Sequence, residues 1–316
     1  MISFIVIGRN EGWRLKKCLD SLCVVVKQDN ISDYEIIYVD SKSTDDSINL
    51  AKSYKDINVY SITGECNSAI ARNIGAKKAS GDILFFVDGD MEIQSGFINT
   101  VIDSKTQKLH YPFVSGVWND IVYKANWEYS YSIERDKEAI DRIEQTTGGL
   151  FIIDADLWAR VGGMDNRLKR HQDLDLGFRL FKLGFPLHRK KELLALHHTT
   201  PYTDREIATG YYKYTGLFFR KHFFSKRSIR IILFNQYTSL FFLLSIIFTF
   251  FGLYFFWGIY LFLLLYRSLK SYIKQKDMKL KKLLRIIKFM FIRDIVFLIS
   301  VVAYYPSTPN LNYVKL

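Results

Sequence analysis

The sequence predicts an α/β fold, a mostly parallel, Rossmann-like sheet with helices on both faces, followed by C-terminal membrane-associated helices. Three observations carry this expectation. Strand and helix patterns alternate four times within the first ninety residues, the pattern of a parallel sheet covered on both sides. Two of those strands run into aspartates, and open α/β sheets collect ligands at the carboxyl ends of their strands. Between residues 231 and 266 there is no charged side chain.

Composition sets the bounds. A chain of 316 residues holds one large or two modest domains. It is 49% hydrophobic and 16% aromatic with a net charge of +12, and its apolar and basic residues crowd towards the C-terminus, unlike an average soluble enzyme. The cysteines, Cys18, Cys23 and Cys66, lack metal-ligand spacing and fit a reducing, cytosolic side. The opening MISFIVIGRNEG has too short an apolar run, and no basic start, for a signal peptide. The chain shows no internal repeat and no low-complexity linker.

Residues 3–7 predict a buried strand, followed by Gly8-Arg9-Asn10-Glu11 and an amphipathic helix beginning over 13–22. Residues 36–39 predict a second strand ending in Asp40, and SKSTDDS after it offers Ser and Thr to cap a helix over 46–54. A short strand over 59–62 and a helix over 68–79 follow. Gly81-Asp82 then turns the chain into ILFFVDGD, residues 83–90. Five apolar residues in a row make a strand that wants cover on both faces. It ends in Asp88-Gly89-Asp90, where the glycine leaves the backbone free to bring two carboxylates to one point. Two hard oxygen ligands suit Mg²⁺ or Mn²⁺ held together with substrate phosphates, although Asp-Gly is also an ordinary turn signal. Asp40 either caps a helix or lines the same crevice. Together the three acids outline a nucleotide site, with one carboxylate for a base or ribose and two for metal-bound phosphates.

Residues 105–141 carry less signal. They hold Trp118, Trp127, Tyr129 and Tyr131, whose faces suit stacking on sugar rings as well as packing in a core. Residues 146–184, TTGGLFIIDADLWARVGGMDNRLKRHQDLDLGFRLFKLG, concentrate glycines and acids, and a strand over 193–196 ends in His197-His198.

In order and spacing, FIVIGRNEGWRLKKCLDSL, YVDSKSTDDS and ARNIGAKKASGDILFFVDGD resemble the nucleotide half of the family 2 glycosyltransferases, which have the GT-A fold. The usual V-D-D-G-S-T-D of that family reads Val39-Asp40-Ser41-Lys42-Ser43-Thr44-Asp45 here, keeping the first Asp and losing the second Asp and the Gly. The 146–184 stretch resembles the acceptor half, with Gly-Gly-x-x-x-Ile, Gly-Gly-Phe-Asp and Glu-Asp-x-Asp-Leu-x-x-Arg. The last of these reads Gln172-Asp173-Leu174-Asp175-Leu176-Gly177-Phe178-Arg179, with Gln172 in place of Glu.

The resemblance covers about residues 1–200 and implies an inverting sugar transfer from a nucleotide diphosphate. It puts Asp40 on uracil, Asp88 and Asp90 on ribose and a divalent metal (Mn²⁺ or Mg²⁺), and Arg9, Glu11 and Arg72 with the donor. Asp173 becomes the general base beside the attacking hydroxyl, with Asp175 as the second candidate. Gly149, Trp118 and Asp175 fall on the acceptor side. A histidine serves many GT-A enzymes as third metal ligand, and since neighbours on a strand face opposite ways, His197 is favoured over His198. The Gln-x-x-Arg-Trp motif of processive synthases is absent, so a non-processive enzyme is expected.

The uncharged run over 231–266 would be about 54 Å long as one helix, against about 30 Å of hydrocarbon. Both flanks are basic: Arg220, Lys221, Lys226, Arg227 and Arg230 before, Arg267, Lys270, Lys274 and Lys276 after. Basic flanks mark the cytoplasmic side, which predicts a hairpin of two short spans turning near Gly252. Residues 286–305 include Arg293 and Asp294 and predict an interfacial helix. The expected organisation is a GT-A domain over 1–225 (a nucleotide half over 1–100, an acceptor half over 101–225) and a membrane region over 226–316. The expected setting is the cell membrane, with the catalytic domain on the cytoplasmic side. The expected partners are a nucleotide-sugar donor, a lipid-linked or glycan acceptor and membrane lipids, without nucleic acid. Ser41, Lys42 and Gln172 sustain a rival, an inactive nucleotide-sugar binding protein. A sugar nucleotidyltransferase would need a glycine-rich basic loop that residues 8–12 do not supply.

Overall fold

Strands stand where the apolar runs are. The computed structural model describes residues 1–135, 140–200, 212–273 and 280–316; Lys274 and Lys276 of the basic flank lie outside them. Two compact units emerge, Met1–Pro201 with Thr308–Leu316, and Tyr202–Ser307.

The first unit is an α/β layer structure. Strands β1 (Ile2–Gly8), β2 (Tyr34–Asp40), β3 (Ile57–Ile62) and β4 (Ile83–Asp88) pair in parallel in the order β3-β2-β1-β4. They are linked by helices α1 (Trp13–Gln28), α2 (Ser47–Lys52) and α3 (Ser68–Lys78). Alternation along each strand feeds two cores. Phe4 and Val6 of β1 join Leu15, Cys18, Leu19 and Leu22 of α1 on one face. Ile5 and Ile7 join Ile70 and Ile74 of α3 on the other.

Beyond β4 the sheet changes character. The remaining strands are β5 (Met91–Ile93), β6 (Phe113–Tyr123), β7 (Tyr129–Glu134), β8 (Arg142–Glu144), β9 (Phe151–Asp154), β10 (Leu187–Thr199) and β11 (Tyr313–Lys315). The full order is β11-β3-β2-β1-β4-β9-β6-β10-β5, with β7 on β6 and β8 on β10. Among the described residues four pairings are parallel and six antiparallel, so the sheet is mixed and not mostly parallel as expected. The cause is connection length. A turn joins β6 to β7, too short for the crossover that parallel neighbours need. Helices α4 (Phe97–Val101), α5 (Ala155–Val161) and α6 (Gln172–Lys182) complete this half.

The second unit is helical: α7 (Tyr212–Lys221), α8 (Lys226–Asn235), α9 (Tyr237–Thr249), α10 (Phe255–Ile273) and α11 (Leu280–Ala303). It starts before residue 226 because α7 packs on α11. Phe219 meets Phe297 with ring centroids 5.5 Å apart, and the Arg220 guanidinium donates to the carbonyls of Val301 and Tyr304 at 3.1 and 2.7 Å. The 308–316 segment leaves this unit and adds β11 to the edge of β3. The chain turns at Gly252, in the left-handed region (φ 73°). Among the described residues no single helix is long and apolar enough to cross a membrane; α8 and α9, bent by 83° where they meet, pass that test only together. Arg293 and Asp294 are buried within this unit. Asp294 is fully buried and accepts from the Thr238 and Ser239 hydroxyls at 2.9 and 2.8 Å and from Arg293 at 2.9 Å.

Candidate active site

The carboxyl ends of β1, β2 and β4 bring charged groups together that lie far apart in sequence. Asp88 ends β4, and its Oδ1 lies 2.5 Å from the guanidinium of Arg72, an almost fully buried side chain on α3. Gly149 closes over the same carboxylate. A Cβ there would stand 2.1 Å from Asp88 Oδ2, and φ is +86°, so the position requires glycine. Burial lifts the Asp88 carboxyl to about 6, with Arg72 pulling the other way and Asp90 adding to the rise.

Asp90 faces two cations. Its Oδ2 lies 3.4 Å from Arg14 Nη1 and 3.4 Å from His197 Nε2. Burial would raise Asp90, but His197 and Arg14 outweigh it and hold the carboxyl below its ordinary value. The other ring nitrogen of His197 meets Asp120 Oδ1 at 2.9 Å, and Asp120 is gripped in turn by Arg135. Although burial opposes the charge, Asp120 and Asp90 push His197 up to about 9. His198 points away from this pair. Its nitrogens are taken by the Tyr123 hydroxyl and by Glu92, both at 2.9 Å. Glu11 bonds the same Arg14 at 2.5 Å, and burial, aided by Asp90, raises it to about 7.

A divalent cation fits this set on its chemistry. Two carboxylates and one imidazole are donors that Mn²⁺ and Mg²⁺ accept. The raised Glu11 and Asp88 report a surplus of acid that a cation would relieve. Among the described residues no group of three or more His, Cys, Asp or Glu is already arranged as a metal cage, and a cation here would take the place of the proton on His197.

Asp173 stands in the first turn of α6, partly exposed, and accepts a hydrogen bond from the Thr146 hydroxyl at 2.7 Å. Its charge contributes to the rise of Asp88, so the two carboxylates are near enough to interact. The segment bearing Thr146 is fixed by Arg189, fully buried, which donates to Thr146 O (2.9 Å), Gly116 O (2.8 Å) and Ser115 Oγ (2.9 Å) and pairs with Glu144 (2.8 Å).

Other expected residues stand elsewhere. Asp175 is fully buried and pairs with Arg179, which also donates to Val161 O and Gly163 O; it braces a turn and offers nothing to an acceptor. Trp118 is half-buried, with the guanidinium groups of Arg135 and Arg189 5.5 and 4.9 Å from its centroid and Gly148 against its edge. Asp40 is fully buried, accepting from Tyr38 Oη at 3.1 Å and Ser43 N at 2.9 Å. In this conformation it shapes the loop and has no exposed oxygen for a base. Arg9 is exposed at the rim. The serines expected to cap α2 serve the first loop instead: Ser43 Oγ accepts from Asn10 N, and Ser47 Oγ from Glu11 N and Gly12 N. Lys42, in the position of the family's glycine, keeps a left-handed backbone (φ 63°).

Arg14 and Asp120 were absent from the sequence expectations. Arg14 looks like one more cation on an amphipathic helix, and Asp120 lies in a stretch without a motif.

Residues 3–108, which carry Asp40, Arg72, Asp88 and Asp90, match the profile of glycosyl transferase family 2. Over this segment the chain is similar to the family 2 glycosyl transferases. The chain therefore carries an enzyme domain of the glycosyltransferase class. It is 24% identical over 220 residues to the glycosyltransferase AglE of Haloferax volcanii, covering 64% of this chain and 68% of the relative. It is 39% identical over 99 residues to a poly(ribitol-phosphate) beta-glucosyltransferase of Bacillus spizizenii, a match that spans 30% of this chain but only 15% of that protein. In fold it resembles S. aureus TarS (residues 1–349), solved with UDP-GlcNAc, with a TM-score of 0.51 at 16% identity, over 69% of this chain and 65% of that one. The segment that matches family 2 thus lies in an α/β mixed sheet consistent with the GT-A fold.

Proposed function

We propose that the protein transfers a single sugar, with inversion, from a uridine diphosphate donor to a lipid-linked or membrane-proximal glycan. One observation carries this reading: Arg72–Asp88 and His197–Asp90 meet at the strand ends of the segment that matches family 2, near enough to Asp173 for its charge to act on Asp88. Asp88, Asp90 and His197 would hold the divalent metal, which when bound neutralises the diphosphate as it leaves. Arg72 orients Asp88. Asp173, aimed by Thr146, takes the proton of the attacking acceptor hydroxyl. The complex of TarS with UDP-GlcNAc supports a uridine-linked donor. The loss of two motif residues at Ser41 and Lys42, and the buried Asp40, favour a base contact that differs in detail from the family pattern.

The helical unit is the membrane anchor in this reading. Large apolar side chains stand in the open on it, Phe224 at 95%, Phe250 at 86% and Phe251 at 72% exposure, beyond what a water-facing surface normally carries. The basic residues around it suit an anionic cytoplasmic leaflet.

The test is hydrolysis of a panel of nucleotide sugars by the detergent-solubilised full chain, with Mn²⁺, Mg²⁺ or EDTA. Metal-dependent release of one nucleoside diphosphate supports the reading and names the donor. No release from any donor, even with membrane extract as acceptor source, would favour the inactive binding protein.

A further inference from the structure

The β6–β7 hairpin carries a surface that the chemistry above does not use. All six residues of β7 are exposed, and among the described residues it pairs with β6 alone. Its register sets Ile133 opposite Asp120, Tyr131 opposite Val122 and Tyr129 opposite Tyr123. Directly opposed residues share a face, so Tyr129 stands with Tyr123 on the side where Tyr123 meets His198, whereas Ile133 and Tyr131 stand on the side where Asp120 meets His197. Tyr129 and Tyr131 are 59% and 47% exposed.

The turn of the hairpin extends this surface to the site. Trp127 is 40% exposed and holds φ +64°, a strained setting for a bulky residue. The Arg14 guanidinium lies 4.7 Å from its ring centroid, and the same group reaches Asp90 at 3.4 Å. Trp13 meets Trp127, Tyr123 and His198 with centroids 5.8, 5.2 and 5.4 Å apart. The aromatic surface is thus continuous with the carboxylates through Arg14 and His198.

We infer that this aromatic ridge, Trp13, Trp127 and Tyr129, is a platform for the neutral pyranose rings of an acceptor glycan beyond the ring that reacts. The inference rests on the glycosyl-transfer reading. Pyranose rings offer C–H faces to aromatic planes and hydroxyls to phenol and serine oxygens, and the ridge interleaves both: the Tyr129 hydroxyl lies 3.2 Å from Ser132 Oγ. Its described cations are paired, Lys124 with Glu128 at 3.1 Å and Arg135 with Asp120. A surface built for anionic lipid would carry unpaired Lys and Arg.

The test uses the full chain in detergent and four probes, maltohexaose, cellohexaose, chitohexaose and mannohexaose, read by saturation-transfer NMR on the sugar protons. UDP binding to the wild type is measured separately in Mn²⁺. At least one hexasaccharide should bind, about tenfold more weakly in Trp127→Ala and Tyr129→Ala and within about twofold in Tyr129→Phe. Tyr129 is exposed on an edge strand, so its loss tests the surface and not the folding. Binding of none of the four, or binding indifferent to Tyr129→Ala and Trp127→Ala, overturns the platform even where UDP binds. Tyr129-dependent capture of phosphatidylcholine vesicles, with no sugar bound, overturns it in favour of a lipid surface. Tyr129-dependent sugar binding without UDP binding sustains the platform and sinks the donor reading.

Discussion

Replacing Gly149 with alanine perturbs the site through one atom. The added Cβ would stand 2.1 Å from Asp88 Oδ2 and 3.1 Å from Arg72 Nη2, at φ +86°. A left-handed backbone costs an L-residue about 1–2 kcal/mol. Asp88 must retreat by more than an ångström to restore van der Waals distance, which breaks the 2.5 Å contact with Arg72, and a hydrogen bond to a charged group contributes about 1.5–3 kcal/mol. The sum is about 2.5–5 kcal/mol of stability. Displacing a positioned carboxylate by an ångström lowers turnover about a hundredfold. Gly162 supplies the control: φ is +74°, and a Cβ there meets nothing within 4 Å. Gly162→Ala should cost only the backbone share, about 1–2 kcal/mol, and leave turnover within about twofold. Thermal melts and donor hydrolysis on both variants decide it. A Gly149→Ala protein with wild-type turnover, or equal losses in the two variants, refutes the steric argument.

Three further predictions follow from other parts of the molecule. His171 is lowered to about 4 by burial, with Arg170 adding to it, so the unfolded chain takes up a proton between about pH 6.5 and 4 that the native state refuses. Its contribution is intact above pH 6.5 and is lost as pH falls, by at most about 3 kcal/mol. His171→Asn, which tolerates the left-handed φ of 64°, should flatten that part of the melting-point-against-pH curve, and an unchanged slope would count against the assignment. Thr146→Val should lower transfer about tenfold or more through loss of a charge-assisted bond, with donor KM unmoved and Thr146→Ser restoring the rate; a pure KM effect would move Thr146 out of the role of aiming Asp173. In vesicle flotation with anionic lipid, Phe250→Glu with Phe251→Glu should release the full chain, while flotation equal to wild type would remove these residues from the anchor.

The nucleotide half was readable because its signals are local. Residues 83–88 are a strand and end in the acids that the run of apolar residues foretold, and the helices between strands fall where their periodicity lies. What could not be read depends on partners distant in the chain. Arg14 becomes a site residue only when Asp90 and His198 arrive beside it, 76 and 184 residues away. Asp120 needs His197. The antiparallel half of the sheet is set by the short β6–β7 turn and by β9 entering between β4 and β6, neither of which has a strong periodic signature. Asp175 shows the converse. A motif gave it a site role, yet α6 turns it inward to Arg179, a consequence of helix phase that a linear motif does not state.

The central claim is that Asp88 and Asp90 hold a metal-bound donor while Asp173 acts on the acceptor. It is tested most directly by titrating UDP into the wild type, Asp90→Asn and Asp173→Asn in Mn²⁺ by calorimetry, with transfer to membrane extract assayed alongside. The account predicts that Asp90→Asn loses binding and transfer together, whereas Asp173→Asn binds UDP like the wild type and does not transfer. Binding that survives Asp90→Asn, or transfer that survives Asp173→Asn, would contradict it.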